Sequence, residues 1–113
     1  MEPMLSQFGS IAGRITSDRP NIPFASSRFG AFYAEPLDSN YWVQHIREQV
    51  RYMDAVRAMV SEGFDTFVEL GPSNVLTRLG DKILSDEKLL WCSALCPGRS
   101  HRDSQLRTLG LLF

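Results

Sequence analysis

No apolar run in the 113-residue chain approaches the roughly 20 residues that a membrane-spanning helix needs. The N-terminal MEPMLSQFGS also lacks the basic start and apolar stretch of a secretory signal, so the chain is expected to be cytoplasmic with no membrane partner. Neither sign of charge dominates: 12 basic and 13 acidic residues are interspersed and sum to −1, which supplies no basic stripe for nucleic acid. Histidine and cysteine are scarce, at two each. His45 and His101 form no ligand cluster with zinc spacing, so no metal is expected. Cys92 and Cys96 lie four apart in LWCSALCPG; on a strand they would share a face about 13 Å apart, too far for a disulfide, and read as two buried thiols. Low-complexity tracts and internal repeats are absent. With 43% hydrophobic residues the composition is that of a folded protein, and the length allows one domain at most.

Along the chain, apolar spacing alternates between the two regular periods. Met4, Phe8, Ile11 and Ile15 recur at steps of four, three and four, one helical face that Pro20 should close by Arg19. Ile22, Pro23 and Phe24 then suit a short strand leading into a loop. Asp38 or Ser39 can cap a helix carrying Tyr41, Trp42 and Ile46, and Met53, Val56 and Val60 continue an apolar face to Gly63, with REQVR as a break or a turn between two helices. DTFVEL reads as a strand, Val75, Leu76, Leu79 and Ile83 as the inner face of the next helix, KLLWCSAL as a third strand, and SHRDSQLRTLGLLF as a last helix with Ser100 and Asp103 spaced as a capping pair. Strands alternating with helices predict an α/β fold of about three parallel strands with flanking helices. So narrow a parallel sheet has two open edges and looks unfinished as an independent domain.

The one corner with a chemical look is FVELGPSNVL, a strand, a Gly-Pro turn and a helix start with Ser73 at the bend. Gly two places before a serine is half of the nucleophile elbow G-x-S-x-G, but Val75 stands where the second Gly belongs. Ser73 therefore has two readings: a nucleophile of a small hydrolase with His45 or His101 as base, or, needing no partner, the N-cap of a helix beginning at Asn74. A phosphate cradle is disfavoured by the single Gly and by Pro72, which removes an N–H donor. Arg47 and Arg51, four apart on a helix, could clasp a carboxylate or phosphate, with a solvated face as the plainer alternative; Glu69, near a strand end, is a lone candidate acid or base.

Several segments, in order, resemble the C-terminal part of the acyltransferase domains of modular polyketide synthases, relatives of malonyl-CoA:acyl carrier protein transacylase. They are MEPML, PNIPFASSRFG, YWVQHIREQVRYMDAVRAMVSEGFDTFVELGPSNVL and CPGRS, with residues 41–76 the most specific. The resemblance implies that residues 1–113 are a single partial domain, a segment of the α/β-hydrolase-like large subdomain. In that family a serine in Gly-His-Ser-x-Gly takes a malonyl-type acyl group from coenzyme A, a histidine in a Phe-His-Ser segment serves as base, and the group passes to the phosphopantetheine thiol of an acyl carrier protein. None of these motifs occurs in this chain, and Met1 would fall just downstream of the base.

On this resemblance the chain holds no catalytic or cofactor-binding residue of its own, acyl-coenzyme A is the family substrate, and the expected partners are the N-terminal remainder of an acyltransferase or synthase and an acyl carrier protein. A non-catalytic module docking a carrier protein or synthase subunit is the alternative. His45 matches a position, variously Gln, Asn or His in the family, whose main-chain carbonyl orients the catalytic histidine. Two departures stand out: Ser26-Ser27 where the family usually has Ser-Asn, and Gln49 where it commonly has Pro. After the Gly-Pro the family varies widely, so the resemblance assigns Ser73 to structure.

Overall fold

The computed structural model describes residues 2–85 and 88–113. Met1, the first residue of the MEPML segment, lies outside them. The chain divides into two compact units, Met1–Glu62 and Gly63–Phe113.

The first unit begins with α1 (Glu2–Ala12) and continues through β1 (Ala25–Ser26), β2 (Ala31–Phe32), α2 (Ser39–Arg47) and α3 (Tyr52–Ser61). Helix α1 is shorter than its apolar spacing predicts. It stops at Ala12, where Gly13 and the next two residues turn back onto the carbonyls of Gly9, Ile11 and Ala12. Its buried face is also different: Leu5 and Ala12 are buried while Met4, Ile11 and Ile15 are exposed. The small side face around Gly9, where an added Cβ would stand 3.3 Å from Val43, lets α2 approach closely, and close approach outweighs the larger apolar residues.

The apolar run Ile22–Phe24 precedes the strand rather than forming it. Strand β1 pairs antiparallel with β2 (Ala25↔Phe32, Ser26↔Ala31), so a hairpin of two short strands stands where a third parallel strand is expected. Gly30 makes that hairpin possible: its φ is +66°, its N–H reaches the Ser26 carbonyl at 2.8 Å, and a Cβ would strike Asp54. Asp38 caps α2, its carboxylate accepting from the Tyr41 N–H at 2.7 Å. The helical pair does break, at Glu48–Arg51; Glu48 is extended (φ −84°, ψ 161°), the conformation that a residue before proline adopts. The Arg51 N–H, freed by the break, donates to the Ser27 carbonyl at 2.6 Å and so ties α3 to the hairpin. Ala55 and Val56 of α3 are buried, and Gly63 follows the helix at φ +91°, as its position after the last apolar residue predicts.

The second unit holds β3 (Thr66–Glu69), α4 (Val75–Ile83), β4 (Leu90–Ser93) and α5 (His101–Leu112). Strands β3 and β4 run parallel in register Thr66↔Leu90 to Glu69↔Ser93, with α4 as the crossover. Across them Phe67 and Trp91 stack with centroids 4.6 Å apart. Helix α4 seats Gly80 directly on the Trp91 ring, and Thr77 and Gly80 are its buried residues. The residues expected to form its inner face, Val75, Leu76, Leu79 and Ile83, are exposed. Helix α5 is capped by Ser100, which accepts from the Asp103 N–H at 3.1 Å. Hydroxyls rather than leucines hold α5 down: Thr108 donates to the Ser93 carbonyl at 2.7 Å, and the buried Ser104 accepts from the Cys96 N–H at 3.3 Å.

Candidate functional site

In the first unit three consecutive residues of the β1 turn meet one face of α2. The cap at Asp38 sets the helix register so that Tyr41, His45 and Glu48, spaced by four and three, look toward the turn. Ser26, fully buried, shares a 2.7 Å hydrogen bond with the Tyr41 hydroxyl and accepts from the Arg28 N–H at 3.2 Å. The Ser27 hydroxyl stands 3.2 Å from His45 Nε2. Arg28 donates to both Glu48 carboxylate oxygens from one guanidinium edge, Nε at 2.8 Å and Nη2 at 3.1 Å, and lies over the Phe29 ring at 4.4 Å. The hydrogen bond from Arg28 holds the Glu48 carboxyl below its ordinary range, and the same bond raises Arg28. Aromatic rings of Tyr33, Tyr41 and Trp42 close around this row, with the His45 ring 5.8 Å from Tyr41.

The end of α2 gives His45 a second feature. The Gln44 carbonyl still accepts from the Glu48 N–H, but the chain then turns extended, so the His45 carbonyl falls in the final turn where no N–H of the helix follows. Such a carbonyl sits at the negative end of the helix dipole and is suited to accept from an imidazole N–H.

In the second unit the Gly-Pro corner is braced from its far side. Glu69, at the end of β3, receives the Thr77 N–H at 2.9 Å and the Thr77 hydroxyl at 3.0 Å on one carboxylate oxygen. Thr77 is the third residue of α4, so Glu69 caps that helix across the corner. The N-cap position belongs to Asn74, one residue later than expected and without a side-chain cap bond, and Ser73 contributes its carbonyl, which lies 3.1 Å from the Ser93 hydroxyl. Glu69→Ala should therefore cost the second unit about 1–2 kcal/mol. Urea unfolding followed by Trp91 fluorescence in a Trp42→Phe background reads this, and an unchanged midpoint would refute the brace.

Ser73 and His45 belong to different units, and within the second unit no hydrogen bond joins the Ser73 hydroxyl to His101, which is exposed at the start of α5. Arg47 ends α2 whereas Arg51 precedes α3 and pairs with Asp54 at 2.9 Å, so the break removes the common helical face expected of them. Glu69 is a cap and not a lone acid. Cys92 is buried and Cys96 half-buried in the loop beyond β4; both are free thiols. The row Ser27–His45 and Arg28–Glu48 was missed because its partners lie 18 and 20 residues apart with no local pattern joining them. Among the described residues no group of three His, Cys, Asp or Glu could hold a metal, and no helix is long and apolar enough to cross a membrane.

No family model matches the chain. Among curated proteins, the polyketide synthase GfsA of Streptomyces halstedii is 39% identical over 114 residues, covering 97% of this chain. The spectinabilin polyketide synthase system protein NorB of Streptomyces orinoci is 33% identical over 96% of it. The chain is homologous to polyketide synthases. It spans only 2% and 5% of the length of those two proteins. Solved structures narrow the polyketide synthase homology to one kind of domain. The acyltransferase domain from the second module of the salinomycin polyketide synthase superposes with TM-score 0.91 at 35% identity, over 98% of this chain and 26% of that one. A loading acyltransferase from the avermectin polyketide synthase gives 0.87 at 30% identity, over 98% and 35%. The chain's mixed α/β fold matches these acyltransferase domain structures along nearly its whole length.

Proposed function

We propose that the chain is one partial domain, a C-terminal segment of the α/β-hydrolase-like large subdomain of a polyketide synthase acyltransferase. The whole domain would move a malonyl-type acyl group from coenzyme A to an acyl carrier protein. Its serine, supplied by the preceding part of the domain, attacks the thioester carbonyl and releases coenzyme A as the thiol, the proton passing through histidine. The carrier protein's phosphopantetheine thiol then attacks the acyl-serine, and the serine regains its proton. This chain contributes neither the serine nor the histidine and would be inactive alone. Its part is support: the His45 carbonyl, at the end of α2, accepts an N–H from the catalytic histidine, while the His45 side chain is occupied by Ser27.

The observation that carries this reading is the superposition along 98% of the chain at 35% identity on an acyltransferase domain. The test is complementation. The chain is mixed with the part of the salinomycin second-module acyltransferase domain that its match leaves out, and transfer of radiolabelled malonyl from coenzyme A to a carrier protein is followed. Transfer should appear only with both parts present, and His45→Gln should retain most of it because the role is a main-chain one. No transfer with both parts folded would overturn the reading.

A further inference from the structure

The last turn of α2 is poorly secured by its own helix. Glu48 is extended, and its N–H closes the final hydrogen bond of α2 on the Gln44 carbonyl at 2.8 Å. Beyond that bond the terminal carbonyls have no partner within the helix, and helix ends are where local opening costs least. Whatever keeps this turn in place must come from outside α2.

The hairpin turn supplies that hold, on both sides of the break between α2 and α3. Ser27 Oγ lies 3.2 Å from His45 Nε2, while the Ser27 carbonyl accepts at 2.6 Å from the N–H of Arg51, the N-cap residue of α3. One residue thus bridges the gap. Between these two points Arg28 donates to both Glu48 carboxylate oxygens, and two parallel bonds to a planar carboxylate fix direction as well as distance. The turn itself is stiff: Gly30, at φ +66°, returns its N–H to the Ser26 carbonyl, with no room for a Cβ against Asp54 and Arg51. Of the three contacts in the row, only Ser26 to Tyr41 is fully buried, as core packing asks. The other two are open to water, where such bonds add little stability; what they supply is geometry around the His45 carbonyl.

We propose that Ser27 and Arg28 are positioning residues for acyl transfer: acting through His45 and Glu48, they hold the last turn of α2 so that the His45 carbonyl meets the N–H of the catalytic histidine. The proposal rests on the acyltransferase reading above. A group that orients a catalytic base has to be kept within about 0.5 Å of its place, and a displacement of about 1 Å can cost about 100-fold in rate. Ser27 and Arg28 touch neither substrate nor base, so their effect reaches the reaction only through the backbone they hold.

The test uses the two-part complex of the complementation experiment, with rates taken per complex formed. In Ser27→Ala, kcat for malonyl transfer should fall at least about 10-fold while KM for malonyl-CoA stays within about twofold, because the carbonyl touches the histidine and not the substrate. Ser27→Thr, which keeps the hydroxyl, should restore the parent rate. His45→Ala keeps the carbonyl but drops the tether, so it should match Ser27→Ala, and the two together should be no slower than either alone. His45→Gln stays active because its amide can still meet Ser27. Arg28→Lys keeps the charge but loses the paired bonds, and should lower kcat about threefold or more. Arg19→Ala, which breaks the exposed 2.9 Å pair with Glu35, should leave kcat unchanged. Amide exchange at Glu48 should quicken in Ser27→Ala while that at Ala55 does not. Parent-like kcat in Ser27→Ala or Arg28→Lys, a loss carried by KM, or additive losses in the Ser27→Ala/His45→Ala pair would overturn the positioning roles and leave the acyltransferase reading intact. No transfer by the parent complex would overturn both.

Discussion

Tyr41→Ala is expected to lower the stability of the first unit by about 3–5 kcal/mol, the range for truncating a large buried aromatic. Tyr41 is 3% exposed and lies at the centre of a ring cluster, 5.5 Å from Tyr33 and edge-on to Trp42 at 5.2 Å. Its hydroxyl also satisfies a serine with no access to water. The two contributions can be separated. Tyr41→Phe keeps the ring and leaves Ser26 accepting from Arg28, so only the hydroxyl pair is lost, for about 1 kcal/mol. Amide exchange along residues 25–56, measured for both variants, should show a large loss of protection in the first and a small one in the second. Equal losses would mean that the ring contributes little beyond its hydroxyl.

The second large effect is expected at Gly80, where adding a single methyl should destabilise. A Cβ there would stand 2.3 to 2.7 Å from three atoms of the Trp91 ring. That ring is backed on one face by Phe67 at 4.6 Å, which blocks its retreat in that direction. Alanine in a helix is worth about 1 kcal/mol over glycine, which acts in the opposite direction. Overpacking of a closed contact costs about 1–3 kcal/mol, so Gly80→Ala should come out net destabilising and Gly80→Val, with a smaller propensity gain to offset a larger clash, more so. Urea midpoints read from Trp91 fluorescence would check the order. A more stable Gly80→Ala would show that the ring yields.

Those two positions also mark where sequence reading works and where it stops. Features written within a few residues were legible: the Asp38 and Ser100 caps, the break between α2 and α3, Gly63 after its helix, and strands β3 and β4. Each depends on backbone groups that neighbouring side chains reach directly. What the spacing rule could not supply was direction. It identified Val75, Leu76, Leu79 and Ile83 as one face of α4 but took that face to be the inner one, whereas the sheet receives Gly80 because only a residue without a side chain fits over a tryptophan. The same cause turned α1, where Gly9 decides which side meets α2. Glu69 was read as a lone carboxylate because its partner, Thr77, sits beyond a corner whose closure no local pattern shows. The Ser27–His45 and Arg28–Glu48 contacts required knowing that the first strand folds back as a hairpin onto α2, and the helix–strand alternation had suggested a parallel strand instead.

The two free thiols have a practical consequence. Cys96 is reachable in its loop, while Cys92, 3% exposed, is sealed into β4 opposite Val68. Alkylation of the first should follow ordinary reagent chemistry, but the second can react only when β4 parts from its neighbours. The chain thus carries its own timer for the opening of that strand.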